Sequence, residues 1–219
     1  MNGLLKNCFY GALGSAKILL AFFLAAGMAL LISGNPTLLN VFGLITATVF
    51  SFNAVSSVRK EAATKWNKYE LTAPVRRKDI VKCRYINHII WISVGIVLSA
   101  IFIGLTALFH GNNYFYYEVR DPLTLFCVNT ATALLMGTLF YPAIYFFGTD
   151  RSEIMIILSV LGAIGLTLGT IWAINAGHNF SSLSDPEYFL CMVVFMAVAI
   201  ASFILSYFLT NFIYRKKEY

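Results

Sequence analysis

Six apolar stretches of roughly 20 residues, none containing an Asp, Glu, Lys or Arg, fill most of this chain. They cover residues 18–33, 38–58, 88–109, 123–147, 154–176 and 188–214. A helix of about 20 residues spans the roughly 30 Å hydrocarbon layer of a bilayer. The expected fold class is therefore all-α: a polytopic membrane protein with six transmembrane helices. A mean hydropathy of +0.75 with only 12% charged residues agrees with that class.

The charges are gathered between the stretches. Residues 59–84, RKEAATKWNKYELTAPVRRKDIVKCR, hold nine of the sixteen Lys and Arg residues. A charge at the centre of a span costs about 2.5–3.5 kcal/mol on insertion scales, so all nine are expected in water between the second and third spans. Short loops rich in Lys and Arg stay on the cytoplasmic side. With residues 59–84 inside, Lys6, Lys17, Arg151, Arg215, Lys216 and Lys217 also fall inside, and Arg120 is the one basic residue outside. Both termini are then cytoplasmic, in a bacterial plasma membrane. The pI near 9.2 follows from this topology, and nucleic acid is not an expected partner.

Local signals set the boundaries. Residues 1–17 mix Leu4, Leu5, Phe9 and Tyr10 with Lys6 and Lys17, which suits a short helix lying in the interface ahead of the first span. Gly34-Asn35-Pro36 marks a tight turn, making the first two spans an antiparallel hairpin. Tyr141-Pro142 removes a backbone donor from the fourth span and should kink it. Gly162, Gly165 and Gly169 permit close approach of another helix to the fifth. The whole of 1–219 is expected to be one transmembrane domain.

Several chemistries lack the residues they need. There is no GxxxxGK[ST] loop for nucleotide phosphates, and no HExxH or GxSxG, so the chain is not expected to be an enzyme or to bind a cofactor itself. Cys8, Cys83, Cys127 and Cys191 stand singly, with the character of small apolar residues, and no metal site is expected. His88, His110 and His178 are expected as boundary residues near helix ends. Asn53, Asn129, Thr132 and Tyr141 are polar positions within spans. They are candidates to line a pathway, although hydrogen bonds between helices are the commoner use of such residues.

The basic segment has internal order. Ala62, Trp66, Tyr69 and Ala73 recur at helical spacing, so its first half should form an amphipathic helix on the inner surface. Pro74 ends that helix, and Arg77-Lys78-Asp79-Ile80-Val81 opens another that runs into the third span. A loop needed only for topology is shorter, as 148–153 is, so the segment is suited to docking a partner. An amphipathic helix resting on anionic lipid is the plainer use of the same residues.

The run Tyr69-Glu70-Leu71-Thr72-Ala73-Pro74-Val75-Arg76-Arg77-Lys78-Asp79-Ile80-Val81, between spans two and three of six, resembles the ABC-2-type transporter permeases. It is similar in particular to their compact branch, which includes bacterial exporters of phenol-soluble modulins, bacitracin and lantibiotics. The resemblance extends over nearly the whole chain through the six-span layout. It implies that 59–84 is a coupling segment seated on a separate ATP-binding subunit, with Tyr69, Glu70, Leu71, Thr72, Pro74, Val75, Arg77, Lys78 and Asp79 in the contact. ATP and Mg would be held by that partner, a second copy or close relative would complete the pore, and amphipathic peptides would be exported. Arg76 departs from the family, which often has Ser or Thr after the Pro-Val pair; a helix cap is lost there, with Asp79 compensating in the first turn. The competing class is a non-transporting immunity or assembly protein whose basic loop binds lipid or a partner.

Overall fold

The computed structural model describes residues 2–64, 76–111, 120–177 and 183–216, and over these the chain is helical apart from short turns. Its elements are α1 (Asn2–Ser33), α2 (Pro36–Ala63), α3 (Arg77–His110), α4 (Arg120–Phe147), a 3-10 turn (Thr149–Arg151), α5 (Ser152–Gly177) and α6 (Asp185–Lys216). All six long helices are long and apolar enough to cross a membrane. The all-α, six-span expectation holds.

The hairpin between α1 and α2 forms where the sequence marks it. Gly34 takes a positive φ of 55° and its N–H returns to Leu30 O at 3.0 Å, closing the end of α1. The side-chain oxygen of Asn35 then accepts the Thr37 N–H at 2.9 Å, capping α2 with Pro36 at its first position.

Two helices begin earlier than the hydropathy edges. No separate interfacial helix precedes the first span, because α1 is continuous from Asn2. No proline breaks it, and its buried face, Cys8, Ala12, Ala16, Phe23 and Leu30, keeps helical spacing from end to end while Lys6 and Lys17 point outward. The third helix starts at Arg77, where the basic segment is expected to open a helix, and runs unbroken into the third span well ahead of the apolar edge at His88. Arg76 stands at its N-cap position with extended backbone (φ −80°, ψ 138°) and no side-chain cap, and Asp79 lies in the first turn. The cap expected to be lost at Arg76 is indeed missing.

The bundle is centred on α2 and α4, whose apolar windows are 56% and 50% buried, against 22% for α1 and 28% for α5 and α6. Around α2 pack α1, α3 and α4; around α4 pack α5 and α6. Closest of these approaches is α2 on α3. A Cβ at Gly95 would lie 2.5 Å from Ala47 Cα and 3.1 Å from Thr46 O, so the two backbones meet there. On α5 only Gly162 serves this purpose within the chain, facing Leu139, while Gly165 and Gly169 open onto free space. Side chains such as Ile18, Leu108, Trp172 and Leu205 stay outward, where lipid rather than water is the solvent.

Candidate functional site

Contacts between helix ends define two poles. At one, Arg59 near the end of α2 pairs with Glu153 at the start of α5 (2.6 Å, both exposed), and Lys60 reaches Ser15 of α1. Arg77 donates to Tyr214 O of α6 at 3.2 Å and lies 5.7 Å from the centre of the Tyr214 ring. A cation is favourable there, at the negative end of the α6 dipole. Arg76 and Lys78 are exposed beside it. At the other pole Arg120 pairs with Asp185, donates to Leu183 O at 3.1 Å and covers the Tyr188 ring, while His110 Nε2 donates to Leu31 O at 2.7 Å. The basic segment therefore joins two helices at one pole, and Arg120 sits at the opposite one.

One member of the basic run is not in water. Arg84 lies two turns into α3 and donates to Glu61 near the end of α2 at 2.9 Å, their side chains only 6% and 9% exposed. Nine solvated cations were expected, but a carboxylate on a neighbouring helix supplies Arg84 with its counter-charge, and that lowers the penalty which a single-residue scale assigns. The guanidinium lies 5.4 Å from the centre of the Tyr145 ring, and Tyr141 donates its hydroxyl to Arg84 O at 3.3 Å. Both tyrosines belong to α4. Beside this cluster Cys8 and Cys83 are buried with their sulfurs 3.6 Å apart.

Of the expected docking residues, Tyr69, Glu70, Leu71, Thr72, Pro74 and Val75 lie outside the described residues, as do Trp66 and Ala73 of the expected amphipathic helix. Arg77, Lys78 and Asp79 form the first turn of α3. Lys78 is free to meet a partner, whereas Arg77 is engaged by α6.

The four polar span residues each tie two helices together. Asn53 donates to Ala12 O of α1 at 3.2 Å, and Asn129 Oδ1 accepts from the Thr48 hydroxyl of α2 at 3.1 Å. Thr132 meets Thr167 of α5 at 3.1 Å, and Tyr141 reaches Arg84 of α3. Their polar groups face protein in this packing.

His88 was expected as a boundary residue and is instead fully enclosed, three turns into α3. Its Nε2 is 3.0 Å from Ala133 O and 3.1 Å from Ser51 Oγ, with the ring stacked on Phe203. A carbonyl only accepts, so Nε2 carries the proton. The signal lay in the sequence: a helix opening at Arg77, as the order of the basic segment indicates, carries residue 88 into the core. Gly137 on α4 makes the room, because a Cβ there would lie 2.5 Å from His88 Nε2.

Pro142 has a comparable consequence. The fourth helix runs through it, but its missing N–H leaves the carbonyl of Thr138, four residues back, without an intrahelical donor. Ser206 of α6 supplies one at 2.8 Å, and Ser206 then accepts from Tyr85 of α3 at 2.8 Å, with Thr210 donating in turn to the tyrosine at 2.8 Å. Replacing Ser206 with Ala should cost about 1 kcal/mol, read by denaturant titration in detergent, because it strips a partner from the half-buried Thr138 carbonyl, which has no donor in its own helix, and from the buried Tyr85 phenol. Alongside, α4 and α6 enclose an open groove of about 720 Å³ lined by Thr138, Leu139, Pro142, Ser202, Leu205 and Ser206 among others. Among the described residues no three His, Cys, Asp or Glu side chains come together as a metal site would require.

Six apolar helices linked by internal polar contacts, with cations collected at one pole, define a multi-pass membrane protein. The model of the family described as ABC-2 family transporter protein matches residues 3–215, nearly the whole chain, and the protein belongs to that family. The resemblance drawn from residues 69–81 is thereby confirmed at the level of the family; the compact exporter branch is not resolved by it. Comparison with curated proteins and with solved structures gave no match.

Proposed function

We propose that this chain is the membrane subunit of an ATP-driven exporter in the bacterial plasma membrane, working as a pair of copies, or with a close relative, on two separate ATPase subunits. The observation that carries this reading is the basic pole. The segment joining α2 to α3 leaves and enters the bundle there, with Lys78 and Arg76 exposed and Arg77 anchoring the start of α3 against α6. In this reading Tyr69, Glu70, Leu71, Thr72, Pro74 and Val75 fill the groove of the ATPase, and Lys78 and Asp79 fix register by ion pairs. ATP and Mg stay on the partner.

The cargo is proposed to be amphipathic peptide. Supporting this are the apolar groove between α4 and α6 with its small hydroxyls and the absence of charged residues from the spans' apolar stretches. Asn53, Asn129, Thr132 and Tyr141 would line the pathway only where α2 and α4 part from their neighbours, because in the present packing each is buried and bonded to a neighbouring helix.

Glu70→Ala and Lys78→Ala are the substitutions that test docking, since Arg77→Ala would also disturb α6. Each should weaken retention of the ATPase in co-purification by about tenfold, about 1.4 kcal/mol, with unchanged unfolding of the membrane subunit. Full retention in both variants would overturn the docking assignment. Peptide cargo is tested in proteoliposomes: ATP turnover should rise with amphipathic helical peptides, and flat turnover across a panel would favour the non-transporting alternative.

A further inference from the structure

The Glu61–Arg84 pair joins the end of α2 to the first turns of α3, the two helices that the basic segment connects. Glu61 is near the end of α2, Arg84 is two turns into α3, and the segment proposed to dock the ATPase lies between them in sequence. They are the only charged side chains buried among the described residues. Separating them would leave two uncompensated charges in a medium of low dielectric, so the end of α2 and the start of α3 move as one body. A bundle needing stability alone is served as well by apolar residues of similar volume at both positions.

The pair also has a contact on its far side. Arg84 presents its guanidinium to Tyr145 and its carbonyl to Tyr141, and these residues flank Pro142, where the hydrogen-bond ladder of α4 is interrupted. Tyr145 continues to α6 through the Tyr214 ring, 4.7 Å away between centroids. Displacement of the segment is thus delivered to α4 at its weakest turn.

We propose that the buried Glu61–Arg84 ion pair is a positioning element that passes movement of the basic segment to α4 at Pro142, so that ATPase closure moves α4 and α6. This rests on the ATPase-driven reading above. The test compares wild type with the double variant E61M/R84M, each purified with its ATPase and reconstituted in proteoliposomes. Three quantities are read: thermal unfolding, retention of the ATPase, and maleimide labelling of the half-exposed native cysteines Cys127 on α4 and Cys191 on α6, with and without ATP plus vanadate.

Wild type should change its labelling rate by about threefold or more between the two states. The double variant should unfold at the same temperature and retain the ATPase, yet lose that response. A double variant that keeps the wild-type response overturns the inference, as does a wild type that retains the ATPase but labels identically in both states. Failure of wild type to retain any ATPase overturns the functional reading itself, a distinguishable result. If E61M/R84M is destabilised, the double variant Tyr141→Phe/Tyr145→Leu replaces it, leaving the ion pair and removing both contacts of Arg84 with α4; a full nucleotide response in that variant overturns the inference equally.

Discussion

Gly95→Ala is expected to destabilise the bundle by about 3 kcal/mol, at the upper end of ordinary overpacking, because the added methyl meets backbone rather than a movable side chain. Its Cβ would sit 2.5 Å from Ala47 Cα and 3.0 Å from Ala47 N. The only relief is for α2 and α3 to part, which loosens the interface that also carries Ser51 against His88 and Glu61 against Arg84. Membrane helices gain little from solvent exclusion, so lost van der Waals contact between them is not recovered elsewhere. Gly104→Ala on the same helix, with nothing within 4 Å of its added carbon, is the control and should unfold like wild type. The measurement is fraction folded against denaturing detergent. A Gly95→Ala protein as stable as the control would show that α2 and α3 do not approach this closely.

Arg84→Ala should have an effect of similar or greater size, about 3–5 kcal/mol, because it leaves the Glu61 carboxylate buried without its partner and empties the space over Tyr145. Glu61→Ala should cost about as much by the converse argument. E61M/R84M together should restore wild-type stability, since two apolar side chains of similar volume need no hydration. That pattern separates a buried ion pair from an exposed one. Arg59→Ala, which breaks only the exposed pair with Glu153, should change stability by less than about 1 kcal/mol. Equal effects of Arg59→Ala and Arg84→Ala would argue that Arg84 is hydrated.

These contrasts show where reading by residue type ran out. Charge counting assigned all of 59–84 to water because each Lys or Arg was weighed alone. The penalty for Arg84 depends on a carboxylate 23 positions earlier that only helix packing brings within 2.9 Å. His88 was misplaced for a related reason. The helix expected to open at Arg77 and the apolar run beginning at His88 are one continuous element, so residue 88 lies three turns inside it rather than at an end. Lys6 and Lys17 set residues 1–17 apart as an interfacial helix in the sequence, yet a cation on the outward face does not interrupt a helix, and α1 is continuous from Asn2.

What the sequence determined by itself was whatever depends on local chemistry and on the bilayer as solvent. Apolar runs long enough to span hydrocarbon fix the six helices, Asn35-Pro36 fixes the first hairpin, and the position of the cations sets one pole apart from the other. Tertiary structure alone decided which polar side chains meet: Glu61 with Arg84, Ser51 with His88, and Ser206 with the carbonyl that Pro142 leaves free. The physical reason is that in lipid a polar group is tolerated or not according to its partner, and partners on different helices are related by packing rather than by spacing along the chain.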